Sequence, residues 1–251
     1  MTANSSAPYR KCSSDETDDS NLIEMMAKTS TTWLSAATIV LFSFAFHEAY
    51  AQGLAQQGTS VGDIVPSGWT HLDAQGDLNK DGISDLVVVA TPDYPEHLLT
   101  RDDGYVYNFN QPVLAIYFGE GQGQLQLWKQ YDNVIPANDN VNCSHDISLN
   151  ITDRGALRIS IQLFCSMGSY GTSIDTYTYR YQQGDFCLIG ADHEEMQRNT
   201  GESTVVSENY TTCKRQVKKS NVFDEAKQPS EKWSRLPKKP LERLGDRTLE
   251  E

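Results

Sequence analysis

Between Ile147 and Leu163 apolar and polar residues alternate with a period of two. Ile147, Leu149 and Ile151 fall on one side, Asp153-Arg154-Gly155 marks a turn, and Leu157, Ile159, Ile161 and Leu163 resume the alternation. A helix would scatter these residues around its circumference, whereas a strand collects them on one face. The stretch therefore reads as an antiparallel hairpin with one buried face and one wet face.

The same grammar recurs along the chain. Trp69 to Gln75 reads as a short strand, and Ile83 to Ala90 is an apolar β-branched run too short for a typical helix. Val113 to Gly119 is a further strand; Glu120 to Gly123 turns it and Leu125 to Trp128 returns. Asp175 to Tyr181 alternates Thr with Tyr, Gln183-Gly184 turns, and Phe186 to Ile189 follows. Ser203 to Tyr210 and Lys214 to Lys218 suggest one more hairpin. Thr91 to Pro112 is long for a structureless connection, so it is either a functional loop or a short extra hairpin. No sustained helical periodicity follows residue 51. The expected fold is all-β, antiparallel hairpins in meander order, closing as a sandwich, a barrel or a partial propeller.

The ends of the chain read differently. Lys28, the apolar stretch Trp33 to Phe46 and the small residues around Tyr50 in Ala49-Tyr50-Ala51 have the layout of a secretory signal peptide. That apolar stretch is short against the roughly 20 residues a membrane-spanning helix needs. Residues 26–51 are therefore expected to be a signal cleaved near Ala51, releasing the protein to the periplasm or outside the cell with no integral membrane segment. Residues 1–25 are expected to be an upstream start-site artefact or a disordered extension. Residues 52–68, polar and rich in Gly and Gln, read as a flexible lead-in to an all-β domain over 69–219. From residue 220 to 251 the composition turns to Lys, Pro and Glu with isolated Trp233, Leu236, Leu241 and Leu244. That tail either packs back through its few apolar anchors or stays mobile.

Cysteine usage agrees with export. Beyond Cys12 in the leader, Cys143, Cys165, Cys187 and Cys213 allow two disulfides in three connectivities. In a meander Cys165 and Cys187 lie two strands apart, about 9–10 Å, too far for a disulfide, so that pairing is the least favoured. The net charge of −13 is uneven: 11 of the 21 Lys and Arg residues follow Lys214 onward. The body before the tail is strongly acidic, repels nucleic acid and attracts cations.

The most specific chemistry lies in Asp77-Leu78-Asn79-Lys80-Asp81-Gly82-Ile83-Ser84-Asp85. Oxygen-bearing side chains occupy its first, third, fifth and ninth positions. Calcium takes its oxygen ligands from such alternate positions as a short loop curls around the ion. Asp77, Asn79 and Asp81 would give side-chain oxygens, Ile83 its carbonyl, and Asp85 would close the shell directly or through water. Gly82 permits the sharp turn, and Lys80 at an even position points away. Position twelve is Val88, where an EF-hand needs a bidentate Glu, so an EF-hand is excluded. The stretch Gly76 to Leu86, with its valine-rich continuation, resembles the calcium-binding hairpin loop of FG-GAP/VCBS repeats. Val113 to Gly119 with Gly121-Gln122-Gly123 and Leu125 is similar to the repeat's second hairpin. The resemblance covers residues 69–127 with Thr91 to Pro112 inserted, and it implies Asp77, Asn79, Asp81, the Ile83 carbonyl and Asp85 as Ca2+ ligands. The loop occurs once, whereas a closed propeller has about four to eight blades.

Other motifs carry less. His71, His97, His145 and His193 are scattered without metal-ligand spacing. Asp192-His193-Glu194-Glu195 reads as a solvated turn, and Ser166 to Gly171 lacks the nucleophile elbow of hydrolases. Tyr177, Tyr179 and Tyr181 share one strand face, as packing residues or as a platform for a sugar or peptide. The expectation is an exported, calcium-stabilised, non-catalytic β protein that binds or scaffolds a protein or glycan at the cell envelope. The alternative is a periplasmic or secreted hydrolase using acidic residues near the calcium loop, which requires convergent titratable groups in a cleft beside Asp85, His97 or His193.

Overall fold

The structure, a computed structural model, describes residues 53–224, 226 and 228–249. The expected signal peptide, the segment before it and Cys12 lie outside the described residues.

The chain forms antiparallel sheets. In order come β1 (Gln57–Gly58), a single helical turn α1 (Val61–Ile64), β2 (Thr70–Gly76), β3 (Asp85–Thr91), β4 (Leu98–Thr100), β5 (Val106–Asn108), β6 (Val113–Glu120) and β7 (Gln124–Tyr131). Then follow β8 (Cys143–Ile151), β9 (Ala156–Cys165), β10 (Gly171–Gln182), β11 (Asp185–Gln197), β12 (Glu202–Asn209), β13 (Lys214–Asn221) and β14 (Ser230–Arg235). A five-stranded sheet has the order β1-β7-β6-β3-β2, and a seven-stranded sheet runs as a plain meander from β8 to β14. Strands β4 and β5 pair only with each other, so Thr91 to Pro112 holds the extra hairpin rather than an open loop. Among the described residues no helix is long and apolar enough to cross a membrane.

Strand β3 explains its own composition. Val87 and Val89 face the seven-stranded sheet in a core shared with Leu114, Ile116, Leu157, Ile159 and Phe186. Leu86, Val88 and Ala90 face the other way, into a second core with Ala115, Tyr117, Leu54, Ile64 and Trp69. A strand buried on both faces reads as a continuous apolar run, whereas β8 and β9, covered on one face, alternate.

That second core corrects the reading of the lead-in. The described part of residues 52–68 is ordered: β1 pairs with β7, α1 buries Ile64, and the Tyr117 hydroxyl donates to the Ala55 carbonyl at 2.8 Å. Its polar composition hid the few apolar side chains, Leu54, Ile64 and Val65, that cover the outer face of β3 and β6. Those two strands left an apolar face needing a cover.

The tail resolves toward packing. Strand β14 extends the meander with all six residues exposed, and the chain then returns to β11, where Arg243 bridges Cys187 in antiparallel fashion. Leu244 and Leu249 are buried, and their N–H groups donate to the carbonyls of Phe186 and Val134. Trp233, expected as an anchor, is exposed. Cys143 and Cys165 stand opposite each other on β8 and β9 and form a disulfide. Cys213, in the turn between β12 and β13, is a free thiol, so the second disulfide expected among these four cysteines is not made. Cys187 sits in β11, buried beside Arg243 of the tail, away from that turn.

Gly119 on β6 lets the β2–β3 connection press against the sheet. A Cβ there would collide with the Ser84 carbonyl oxygen and stand 2.7 Å from Ile83 Cγ2. Gly119→Ala is expected to cost about 2–3 kcal/mol, read as a lower urea midpoint at unchanged slope. An unchanged midpoint would mean the loop is not held against β6.

Candidate metal centre and the concave face

The sequence stretch of interest becomes the β2–β3 hairpin loop. Gly76 pairs with Asp85 at the end of the ladder, so residues 77 to 84 form the connection. Lys80 (φ 66°) and Gly82 (φ 86°) supply the left-handed backbone that reverses the chain, a conformation glycine adopts freely. Leu78 points down and is 1% exposed, anchoring the loop in the inter-sheet core.

Three of the expected ligands gather around this turn. The Asp77 carboxylate accepts N–H bonds from Lys80 at 2.6 Å and Gly82 at 3.0 Å. Asn79 accepts from the Asp81 N–H at 3.0 Å and donates through its amide to Asp81 Oδ2 at 2.9 Å. Asp81 Oδ1 accepts the Ile83 N–H at 2.8 Å. Each carboxylate oxygen offers about two acceptor sites, so these bonds orient the oxygens without exhausting them. Ile83 is partly exposed, with its Cγ2 beside Gly119 of β6.

Asp85 is placed apart. It is 1% exposed, its Oδ2 accepts the N–H groups of Leu78 at 2.7 Å and Asn79 at 3.3 Å, and its Oδ1 accepts that of Gly119 at 2.9 Å. Burial pushes its carboxyl above its ordinary value, while the N–H bonds from Gly119, Leu78 and Asn79 pull the other way. Its geometry is that of a clamp joining the loop to β6. Among the described residues no three His, Cys, Asp or Glu side chains converge as metal donors. The loop's gathered oxygens belong to two carboxylates and one amide.

A neighbour went unnoticed in the sequence. The β8–β9 turn packs against the loop, and Asp153 and Arg154 line an open hollow of about 680 Å³ with Asp77, Lys80 and Arg180. Only the meeting of the two sheets puts this turn there, since β2 at Gly76 runs up against Ile151 of β8.

The remaining candidates separate clearly. Tyr177 and Tyr179 are buried, and Tyr181 packs with Phe118, Trp128 and Phe186 at ring separations of 5.1, 5.7 and 5.1 Å. All three are packing residues. Asp192 to Glu195 is not a turn; it lies inside β11, which runs far beyond the expected Phe186–Ile189 segment. Strand register brings His193 opposite Asp175, and His193 Nδ1 lies 2.7 Å from Asp175 Oδ1. Residues eighteen positions apart meet only because β10 and β11 pair. His71 and His97 are exposed and lie on β2 and on the short 3₁₀ turn before β4.

Asp85→Ala leaves three backbone donors without their acceptor. It is expected to cost on the order of 3 kcal/mol, with or without calcium, in a denaturant titration of both forms. A loss confined to calcium-containing buffer would make Asp85 a ligand rather than a clamp. No protein-family model matches the chain, and no curated protein or solved structure matches it, so the functional reading rests on this geometry.

Proposed function

We propose that this is an exported, calcium-stabilised, non-catalytic β protein, periplasmic or secreted, that binds or scaffolds a protein or glycan at the cell envelope. The observation that carries the calcium reading is the hairpin loop. Asp77, Asn79 and Asp81 present hard oxygen donors from alternate positions around a turn made at Lys80 and Gly82. That donor set fits a cation that prefers carboxylate, amide and carbonyl oxygen, with the Ile83 carbonyl next in line. Asp85 contributes from behind by fixing the backbone of the loop. The similarity of the stretch to FG-GAP/VCBS loops points the same way. The bound ion would neutralise the two loop carboxylates and tie the turn together, a structural role.

A single loop of this kind binds with Kd on the order of 10⁻⁴–10⁻³ M. At about ten times Kd, calcium is expected to stabilise the fold by about 1.4 kcal/mol, a rise in melting temperature of roughly 3–6 °C. Asp81→Ala should abolish that rise while leaving the chelated melt nearly in place. Identical melts with calcium and with chelator would remove the reading.

One observation favours the hydrolase alternative: His193 and Asp175 meet at 2.7 Å in an open hollow on the seven-stranded sheet. No Ser, Thr or Cys lines that hollow, so water would have to be the nucleophile. Turnover of chromogenic glycosides or esters, lost in His193→Gln, is the result that reading requires.

A further inference from the structure

The inner face of the seven-stranded sheet changes character halfway across. One cross-strand row runs Ile147, Ile161, Asp175, His193, Val206. The next runs Leu149, Ile159, Tyr177, Ala191, Glu208, Arg215. Both rows are apolar on β8 and β9, where the five-stranded sheet covers them, and ionisable residues enter beyond β9: Asp175 and His193 in the first, Glu208 and Arg215 in the second. Above the ionisable half lies an open hollow of about 560 Å³. A sheet face turned toward the core and left bare would be expected to carry scattered, mobile polar side chains. These are held in place.

Asp175 orients His193 at 2.7 Å through Nδ1. Tyr210 donates to Glu208 at 2.9 Å, and Arg215 sits 3.1 Å from the other Glu208 oxygen. Arg247, brought in by the returning tail, is fixed by Glu242 at 3.1 Å and lies 5.6 Å over the Tyr177 ring. Beyond Asp175 a second hollow of about 370 Å³ continues past His145, whose buried Nδ1 has no hydrogen-bond partner among the described residues.

The lining narrows the ligand. On the inner face Asp175, Glu195 and Glu208 outnumber Arg215 and Arg247, so an anion is repelled. The two guanidinium groups stand in the same wall and disfavour a cation. An apolar ligand would strip water from charged groups without replacing their hydrogen bonds. What remains is a neutral molecule whose hydroxyls donate to carboxylates and accept from His193 and the arginines. We propose that this concave face is a binding groove for a neutral saccharide, of mono- or disaccharide length, held by Asp175, His193, Glu195 and Arg247. It rests on the reading of the protein as a binding rather than a catalytic one, and it names the glycan as the partner.

The test uses the full chain and calorimetric titration with cellobiose, maltose and N,N′-diacetylchitobiose, with galacturonate as the anionic control, in calcium and in chelator. At least one neutral disaccharide should bind, and His193→Gln should weaken it about tenfold at unchanged melting temperature. Asp175→Asn should weaken binding likewise, and should it fail to fold, Glu195→Gln on the exposed rim gives the same reading. The groove is overturned if no neutral sugar binds the folded wild type, if galacturonate binds better, if the probe is cleaved, or if His193→Gln and Glu195→Gln leave affinity within about twofold. Sugar binding that persists without any calcium-dependent melt strikes the calcium reading alone. A calcium-dependent melt without sugar binding strikes the groove alone.

Discussion

The Asp85 carboxylate takes N–H donors from Leu78 and Asn79 on one oxygen and from Gly119 on the other. It stands at the first residue of β3, the strand that both cores share, and so fixes the hairpin loop, the central strand and β6 to one another. A buried carboxylate is costly unless its lone pairs are met. Here both oxygens are met by backbone, which makes the position of the loop a consequence of the sheet. The oxygens of Asp77, Asn79 and Asp81 are thereby presented from a turn whose two ends cannot drift.

The two sheets divide the work. The five-stranded sheet is covered on both sides, by the seven-stranded sheet on one and by the segment from Leu54 to Trp69 on the other. The seven-stranded sheet is longer than its cover, and its surplus from β10 to β13 is where ionisable residues face inward. The tail crosses that surplus, pinned by Leu244 and Leu249, and sets Arg247 over Tyr177. Loop and groove thus sit on different parts of the fold and can be tested independently.

Much of the fold was legible in the residues. Period-two alternation in β8 and β9, the apolar run of β3 and the glycine-bearing turns specify strands because each is a local pattern that only one backbone geometry can satisfy. The lead-in failed for the opposite reason: Leu54, Ile64 and Val65 are too sparse to form a pattern, and their burial depends on the outer face of β3 and β6. The tail's composition is compatible with packing and with mobility, and Leu249 carries no local signal, because an anchor is recognisable only once there is a face for it to fill.

The candidate site shows the same division. Spacing by itself determined that Asp77, Asn79 and Asp81 share the inside of one turn, since alternate positions on a short loop project to the same side. It could not separate Asp85 from them, because the Gly119 N–H that claims its carboxylate is thirty-four residues away. Nor could it pair Asp175 with His193, or bring Arg247 to Tyr177. Those contacts arise from strand register and from the returning tail, which are set by how two sheets bury their apolar faces together. The sequence determined the strands and the loop; tertiary packing decided which of their polar side chains face one another.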